Sequence, residues 1–594
     1  MIVQALVAYY DRLAREGKVA PLGWQMQPIG WVVHLTAEGG VKALECTYER
    51  QGKREVAKTF CVPAHLFGGR SGATTSPYLL WDTAAYALGV GDKRTAEKLE
   101  AFTQRVEALG VETLKPLVAF LRGNPAQALA AADAEAFARL GEDKAPIVTF
   151  RLAGDDGIVC ARQDVKAAYD AFYGERTKGD TLCLATGRRG ALSLIAPKTQ
   201  LPGANSSGCS LISFQKNQGF DSYGKKQGAN APLVQETTFR YTTALQALID
   251  APEHRLRVGE ETLLFWANEH HPVEDAIANF FGWSPASETL GENTGALAVK
   301  GILTAAQKGR LPAVETQERF WFLLLQPVAA RIAVRLWVEQ TPTETAANLV
   351  QWFEDLNIIR PSYQKGAPPI LSADEAPLSV YALLVALSPL GDTKRLPPRL
   401  GGDLLRAALQ NGRLPDIVAQ NVLRRLRSED VTPTRAALLK AWLSRKDKDA
   451  SPNHPTERKP TIMLDTENDN PGYCLGRLFA VLEKTQKEAL GDVNASIKDK
   501  FYATASADPA AVFGTLLRNN AFHAAKLETG RQIYFEKLKG EICGHLVEIP
   551  AHLGLADQAR FALGYYHQLQ AFFTKKSTSP ESANEPTQDT FNLE

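Results

Sequence analysis

The chain is 594 residues long, 45% hydrophobic and 22% charged, with 67 Lys and Arg against 66 Asp and Glu. That length exceeds one ordinary hydrophobic core and predicts roughly three to four domains, while the composition excludes a disordered or fibrous chain. A formal charge of +1 excludes binding of a polyanion through the global field, so any affinity for nucleic acid has to come from local patches.

The first twenty residues, MIVQALVAYYDRLAREGKVA, read as a short amphipathic helix, with Tyr9, Tyr10 and Asp11 interrupting anything resembling a secretory segment. The period then changes. VVHLT (32–36), VKALECTYE (41–49) and REVAKTFCV (54–62) alternate, separated by Gly39-Gly40 and Gln51-Gly52, which predicts a small antiparallel meander. FGGRSGATTSPY (67–78) contains glycines but lacks the Gly-Lys-Ser/Thr ending of a phosphate loop. It reads either as a plain loop or as one whose Arg70, Ser71, Thr74 and Thr75 touch phosphates or base edges. TAEKLEAFTQRVEAL, VETLKPLVAFLRG and NPAQALAAADAEAFARL have helical spacing, with caps expected at Thr95 and Asn124.

From 147 the segments IVTFRLAG, GIVCAR and TLCLATG predict a second sheet. Next comes SFQKNQGFDSYGKKQGANAP (213–232), too polar and glycine-rich to build a core. TTFRYTTALQALID follows as a helix and ETLLFWANE as a strand, so this loop is held by rigid elements, where binding residues tend to sit. WANEHHPVED (266–275) gathers Glu269, His270, His271, Glu274 and Asp275. Adjacent histidines point apart and Pro272 interrupts any helix, so the HExxH pairing is absent and a solvated loop with local ion pairs is expected.

Beyond about residue 345 the pattern is helical, through TAANLVQWFEDLNI, SVYALLVALSPL, GDLLRAALQNG, LPDIVAQNVLRRLRSED and TPTRAALLKAWLSRK. Arg424, Arg425 and Arg427, with Arg435, Lys440, Arg445, Lys446 and Lys448 behind them, form a basic cluster that is equally plain helix-terminus chemistry. Residues 447–472 read as a linker. After it, YCLGRLFAVLEKTQKE places Leu475, Leu478, Phe479 and Leu482 on one stripe, with Arg477, Lys484 and Lys487 expected on the outside. Further helices give about four in a small bundle, and the acidic end, STSPESANEPTQDTFNLE, is expected to be disordered. The fold class is therefore α+β. A mixed α/β portion with small antiparallel sheets covers 1–345, a helical domain 346–450, a linker 451–472, a helical bundle 473–576 and a disordered tail 577–594. Seven scattered cysteines without a CxxC spacing predict reduced, mostly packed thiols, and no stretch approaches a membrane span, so a soluble cytoplasmic protein is expected.

Several stretches together resemble one family: RSGATTSPYLLWDTAAYALG (70–89), SSGCSLISFQKNQGFDSYGKKQGANAP (206–232), FRYTTALQAL with TLLFWA after it, and LGRLFAVLEKTQ with SIKDKFYATASADPAAVF in the last module. The chain resembles, over nearly its whole length, the large subunit of the subtype I-C CRISPR effector complex, the RNA-guided assembly called Cascade. The resemblance implies a non-catalytic subunit with no cofactor that reads the short motif flanking the target in double-stranded DNA and helps open the duplex. Its partners would be the guide RNA with the backbone, guide-end-capping and small subunits, and a helicase-nuclease recruited after target binding. On that view Ser213, Gln215, Asn217, Ser222, Gln227 and Asn230 are candidates for polar DNA contacts, and Lys216, Lys225 and Lys226 for phosphates. Phe214, Phe220 and Tyr223 are expected to anchor the loop in the sheet rather than stack on bases. In this subtype the small subunit arises by internal initiation, which singles out Met463. The bundle would then place Arg477, Lys484, Lys498, Lys500, Arg518 and Lys526 near the displaced strand. The competing readings are a metal-dependent nucleic-acid enzyme centred on Glu269, His270 and His271, and a purely architectural helical scaffold.

Overall fold

The computed structural model describes every residue except 53, 65–74, 92, 216–218, 220–222, 271–273, 275–317, 363–369, 373–377, 379, 398, 447–457, 492–494 and 574–594. Two compact units are present: Met1–Glu274 with Glu315–Thr341 form the first, and the described residues from Pro342 onward lie in the second. The fold is α+β, with the sheets in the first unit and the helices dominating the second.

In the first unit, a four-stranded sheet runs Val41–Cys46, Trp31–Leu35, Ile147–Leu152, Trp81–Thr83. The expected meander is only partly present. Trp31–Leu35 pairs antiparallel with Val41–Cys46, but on its other side it lies parallel to Ile147–Leu152, with Val33 opposite Phe150. The segment 54–62 is split between two two-stranded sheets: Arg54–Ala57 forms a hairpin with Tyr48–Gln51, and Thr59–Pro63 pairs with the more distant Trp24–Pro28. The second sheet expected from residue 147 is also corrected. IVTFRL joins this first sheet, Val159–Ala161 in GIVCAR is a 3-10 turn, and TLCLATG contributes only Thr181–Leu182 to a two-residue pairing. Burial explains the choice: Val148 and Phe150 pack against Val33, Phe102 and Phe120, a core a separate ribbon would leave exposed. The helices Thr95–Glu107 and Lys115–Arg122 follow the predicted pattern, while the third expected segment breaks at Asp133 into Pro125–Ala132 and Ala134–Glu142. Asn124 caps as expected, its side chain accepting from Gln127 N at 3.1 Å, whereas Thr95 is the first helical residue behind Arg94.

A second sheet does exist, built from Arg255–Val258, Glu261–Ala267, Phe320–Val328 and Arg331–Gln340 in antiparallel order. Its last two strands, FWFLLLQPV and RIAVRLWVEQ, have no counterpart among the elements expected from the sequence. One face packs Leu264, Trp266, Trp321 and Leu323 against Leu6, Tyr9 and Leu13 of the Ile2–Arg15 helix and Tyr241, Leu245 and Leu248 of the Gln235–Asp250 helix.

The second unit contains the helices Pro342–Leu356, Val380–Leu387, Leu400–Leu409, Asp416–Leu426 and Pro433–Arg445, with a short Arg360–Ser362/Ile370–Ser372 hairpin among them. Five further helices follow where four were expected: Pro471–Leu490, Ile497–Ala507, Pro509–Ala524, Thr529–Gly544 and Leu555–Ala571. The extra one begins at a capping box in which Ser496 and Asp499 satisfy each other's backbone amides. The expected linker is ordered in its second half. Ile359 N donates to Ile462 O at 3.0 Å, Arg458 pairs with Asp465 at 3.1 Å, and Asp465 N donates to the Tyr473 hydroxyl at 3.0 Å. Residues 447–457 and the acidic end from 574 lie outside the described residues.

The Pro471–Leu490 and Leu555–Ala571 helices touch backbone to backbone. A Cβ at Gly476 would stand 2.0 Å from Phe561 O, and one at Gly564 2.1 Å from Tyr473 O. Glycine here permits the approach that brings Phe479, Phe561 and Tyr565 into one aromatic cluster.

Candidate nucleic-acid interface

The loop 213–232 is bound into the first unit at both ends. Upstream, Ser210 pairs with the last hairpin of the second sheet, its N–H donating to Ala330 O at 3.1 Å and its carbonyl accepting from Ile332 N at 3.0 Å. Downstream, Ser193 N donates to Leu233 O at 2.9 Å and Gly228 N to Leu194 O at 3.0 Å, immediately before the Gln235–Asp250 helix. Gly228 is required there, since a Cβ would lie 2.2 Å from Ser193 O. Both ends are therefore fixed by backbone hydrogen bonds.

On this frame Ser213, Gln215, Lys225 and Lys226 are exposed, while Gln227 and Asn230 are half-buried. Asn230 braces the loop from within, its amide donating to Gln227 O at 2.9 Å and Lys225 O at 3.3 Å. The amide nitrogen of this candidate DNA contact is thus already engaged within the loop. Lys216, Asn217, Phe220 and Ser222 lie outside the described residues. Tyr223 overturns the expectation of an anchoring ring. It is 100% exposed, at a φ of +52° that a non-glycine residue rarely adopts. Phe214, by contrast, is half-buried and lines a small cavity beneath the loop.

In the earlier glycine-containing loop, Arg70, Ser71 and Thr74 lie outside the described residues. Thr75 accepts a hydrogen bond from Arg94 at 3.2 Å.

The acidic and histidine-bearing segment is partly assembled, as ion pairs. Glu274 is buried and paired with Arg12 at 3.0 Å, and also accepts from Ala267 N at 3.0 Å, so its oxygens hold the first helix to the sheet. Glu269 pairs on the surface with Arg15 at 2.6 Å, and His270 Nδ1 stands 3.6 Å from Glu274. His271 and Asp275 lie outside the described residues, among which no group of three or more potential metal ligands converges.

Among the candidates for the displaced strand, Arg477 does not take the outward position expected of it. It is 1% exposed, donating to Gln568 at 3.3 Å and to Thr466 O at 3.2 Å, so it ties the Pro471–Leu490 helix to its neighbour and to the segment before it. Lys484 is half-buried and pairs with Glu488 at 3.4 Å, and Lys498 pairs with Asp430. Lys500, Arg518 and Lys526 are exposed. The earlier basic cluster divides in the same way. Arg435, Lys440 and Arg445 are buried: Arg435 pairs with Glu429, Arg445 with Asp355 at 2.6 Å, and Lys440 donates to the carbonyls of Glu354 and Asp355, both at 3.0 Å. Burial pushes the Lys440 ammonium down to about 8 against the opposing pull of Asp355 and Glu354. All seven cysteines are free, four of them buried. Among the described residues no helix is long and apolar enough to cross a membrane.

No curated protein matches this sequence. The family described as CRISPR-associated protein (Cas_Csd1) matches residues 6–573, a span that takes in both units, the 213–232 loop and the final helices. The chain therefore belongs to the Cas_Csd1 family of CRISPR-associated proteins.

Proposed function

We propose that this protein is the non-catalytic large subunit of a type I-C CRISPR surveillance complex, recognising the motif that flanks the target in double-stranded DNA. It would aid duplex opening and R-loop formation and help recruit the helicase-nuclease, working with guide RNA and the backbone, guide-end-capping and small subunits. The observation that carries this reading is the exposed run from Tyr223 to Lys226, an aromatic ring beside two cations on a loop hydrogen-bonded into rigid elements at both ends. A ring for base steps, lysines for phosphates and the amide of Gln215 for a base edge are the components that such recognition needs. The enzyme alternative lacks comparable support, since Glu274 is committed to Arg12 and Glu269 to Arg15.

Internal initiation at Met463 is part of the proposal. The exposed Met463 precedes Asp465, which bonds Tyr473 and Asn468, and Asn470, which caps the Pro471–Leu490 helix. A product starting there keeps the cap and the whole five-helix set.

The test is duplex binding by the complex reassembled with its other subunits and guide RNA, across a library of flanking sequences. Gln215→Ala should relax the flanking preference while guide pairing stays intact. Lys225→Ala with Lys226→Ala should weaken binding uniformly and lower the salt slope by about two units or less. An unchanged flanking preference and salt slope in both variants would refute the assignment of this loop.

A further inference from the structure

The Pro509–Ala524 helix is buried along one side only. Phe513, Leu516, Asn520 and Ala524 are buried, and Phe513 meets the Phe479 ring edge-on with centroids 6.5 Å apart, which fixes how the helix is turned. At about 100° per residue, Phe522 stands opposite that buried stripe and Arg518 about 40° to one side of it. Phe522 is accordingly 68% exposed, and Arg518 is exposed one turn before it. Lys526, also exposed, follows on the closing turn, where its N–H donates to His523 O at 3.0 Å. The order along this face is therefore cation, ring, cation, each step of four residues rising about 6 Å.

A single exposed phenylalanine needs no explanation by itself. The surroundings of this one select a partner. From Pro509 to Leu527 the chain has no acidic side chain, and the exposed face is completed by Ala511, Gly514, Thr515 and Asn519, small enough for a polymer backbone to lie against the helix. Among the described residues no ring or cation covers Phe522, and no carboxylate pairs with Arg518 or Lys526. Tyr534 on the next helix shows the contrast: the Arg531 guanidinium lies 4.9 Å from its ring centroid and is itself paired with Glu488 at 2.6 Å. A single nucleic-acid strand supplies what the Phe522 row takes, because phosphates and flat bases alternate along it. A duplex does not, its base faces being stacked within.

We infer that Phe522 stacks on one base of a single DNA strand whose adjoining phosphates are held by Arg518 and Lys526. The inference rests on the reading of the final helices as a path for the displaced strand and adds a base contact to it. One stacked base strengthens binding about tenfold, where even a millimolar complex takes about a thousandfold. The ring therefore grips a base only on a strand that the cations already hold, and it releases the strand when salt displaces the phosphates.

The experiment uses the full-length chain carrying Lys225→Ala and Lys226→Ala, which weakens the hold of the 213–232 loop, with binding of single strands read by anisotropy. On oligodeoxythymidine, Phe522→Leu should weaken binding about tenfold with an unchanged salt slope, whereas Phe522→Trp should keep or tighten it. On a strand of the same length built from abasic residues, Phe522→Leu should change binding less than about twofold. Arg518→Ala with Lys526→Ala should lower the salt slope by about two units or less on both strands. A central 5-iododeoxyuridine should photocrosslink within residues 519–526, the tryptic peptide containing Phe522, and Phe522→Leu should abolish that crosslink. Unchanged binding in Phe522→Leu, an equal loss on the abasic strand, or no crosslink in 519–526 would overturn the stack. If the Arg518 and Lys526 double variant still lowered the salt slope, the strand-binding reading of the final helices would stand without the ring. A slope unmoved by that variant would overturn that reading as well.

Discussion

Gly476→Ala adds one methyl group at the closest helix crossing in the second unit. The new Cβ would lie 2.0 Å from Phe561 O, 2.8 Å from Phe561 C and 2.9 Å from Tyr565 N. All three are backbone atoms, so no rotamer change relieves the clash. Ordinary contact begins at 3.4 Å, so the Pro471–Leu490 and Leu555–Ala571 helices must separate by more than an ångström. A gap of 0.5–1 Å already forfeits about a quarter to a half of each dispersion contact, and overpacking of this kind costs about 3 kcal/mol or slightly more. Alanine's helix propensity returns about 1 kcal/mol, leaving a net loss of about 2 kcal/mol. Gly514→Ala and Gly540→Ala are the internal controls. Both positions are helical, with nothing within 4 Å of the point where the added methyl would stand, so each should gain about 0.5–1 kcal/mol from propensity alone.

Native-state hydrogen exchange on the full chain reads this difference, because it reports the local opening free energy of each helix separately. Amides of 471–490 and 555–571 should exchange roughly thirtyfold faster in Gly476→Ala and slightly slower in the controls. Unchanged protection in Gly476→Ala, or equal loss in Gly514→Ala, would refute the argument that close backbone approach holds these helices together.

Two further predictions concern buried cations. Lys440 sits folded at about 8 and unfolded near 10.4, so the folded state binds its proton more weakly and stability rises as pH climbs through that window. Relative to Lys440→Met, the wild-type chain should gain about 2 kcal/mol between pH 7.5 and 9.5, measured by the exchange of the Pro342–Leu356 helix; a flat difference would contradict it. Arg477→Ala should destabilise the Pro471–Leu490 helix by about 1–3 kcal/mol without altering the salt dependence of DNA binding by the assembled complex. Lys500→Ala, Arg518→Ala and Lys526→Ala should do the reverse, each lowering the salt slope by about one unit or less; a slope change confined to Arg477→Ala would invert the assignment.

The helices were legible because their apolar residues recur at a period that packing against any partner rewards, and the cap at Asn124 was legible because capping is local. Strand pairing was not. Nothing within IVTFRL distinguishes a parallel partner at Trp31–Leu35 from an antiparallel neighbour downstream, since that choice depends on which core Phe150 completes. FWFLLLQPV escaped notice because it is apolar without alternation, which is how a strand buried on both faces reads. The polar 213–232 loop was recognised from composition, yet Tyr223, expected to anchor it, is fully exposed. An aromatic side chain is normally assigned inward by its hydrophobicity; here the left-handed backbone at Tyr223 presents the ring to solvent, and the amide of Asn230 supplies the internal brace.

Sequence clusters of basic residues proved a poor guide to electrostatic surface for one physical reason. A helix C-terminus ends in unpaired carbonyls, and an arginine or lysine is as useful to those carbonyls as to a phosphate. Lys440 satisfies the end of Pro342–Leu356 and Arg445 bonds Ala407 O and Gly412 O beside the end of Leu400–Leu409, whereas Arg477 is drawn inward by a turn carbonyl, Thr466 O, and by Gln568. None of the three retains the exposure that counterion release requires. What remains on the final helices, Lys500, Arg518 and Lys526, is a sparse set of exposed charges, suited to weak, sequence-neutral and salt-sensitive contact with a strand. The 213–232 loop differs in kind, combining cations with an exposed ring and an exposed amide. If both regions meet DNA, raising salt should erase the contribution of the final helices first and leave the base preference of the loop, because hydrogen bonds to a base edge release no counterions.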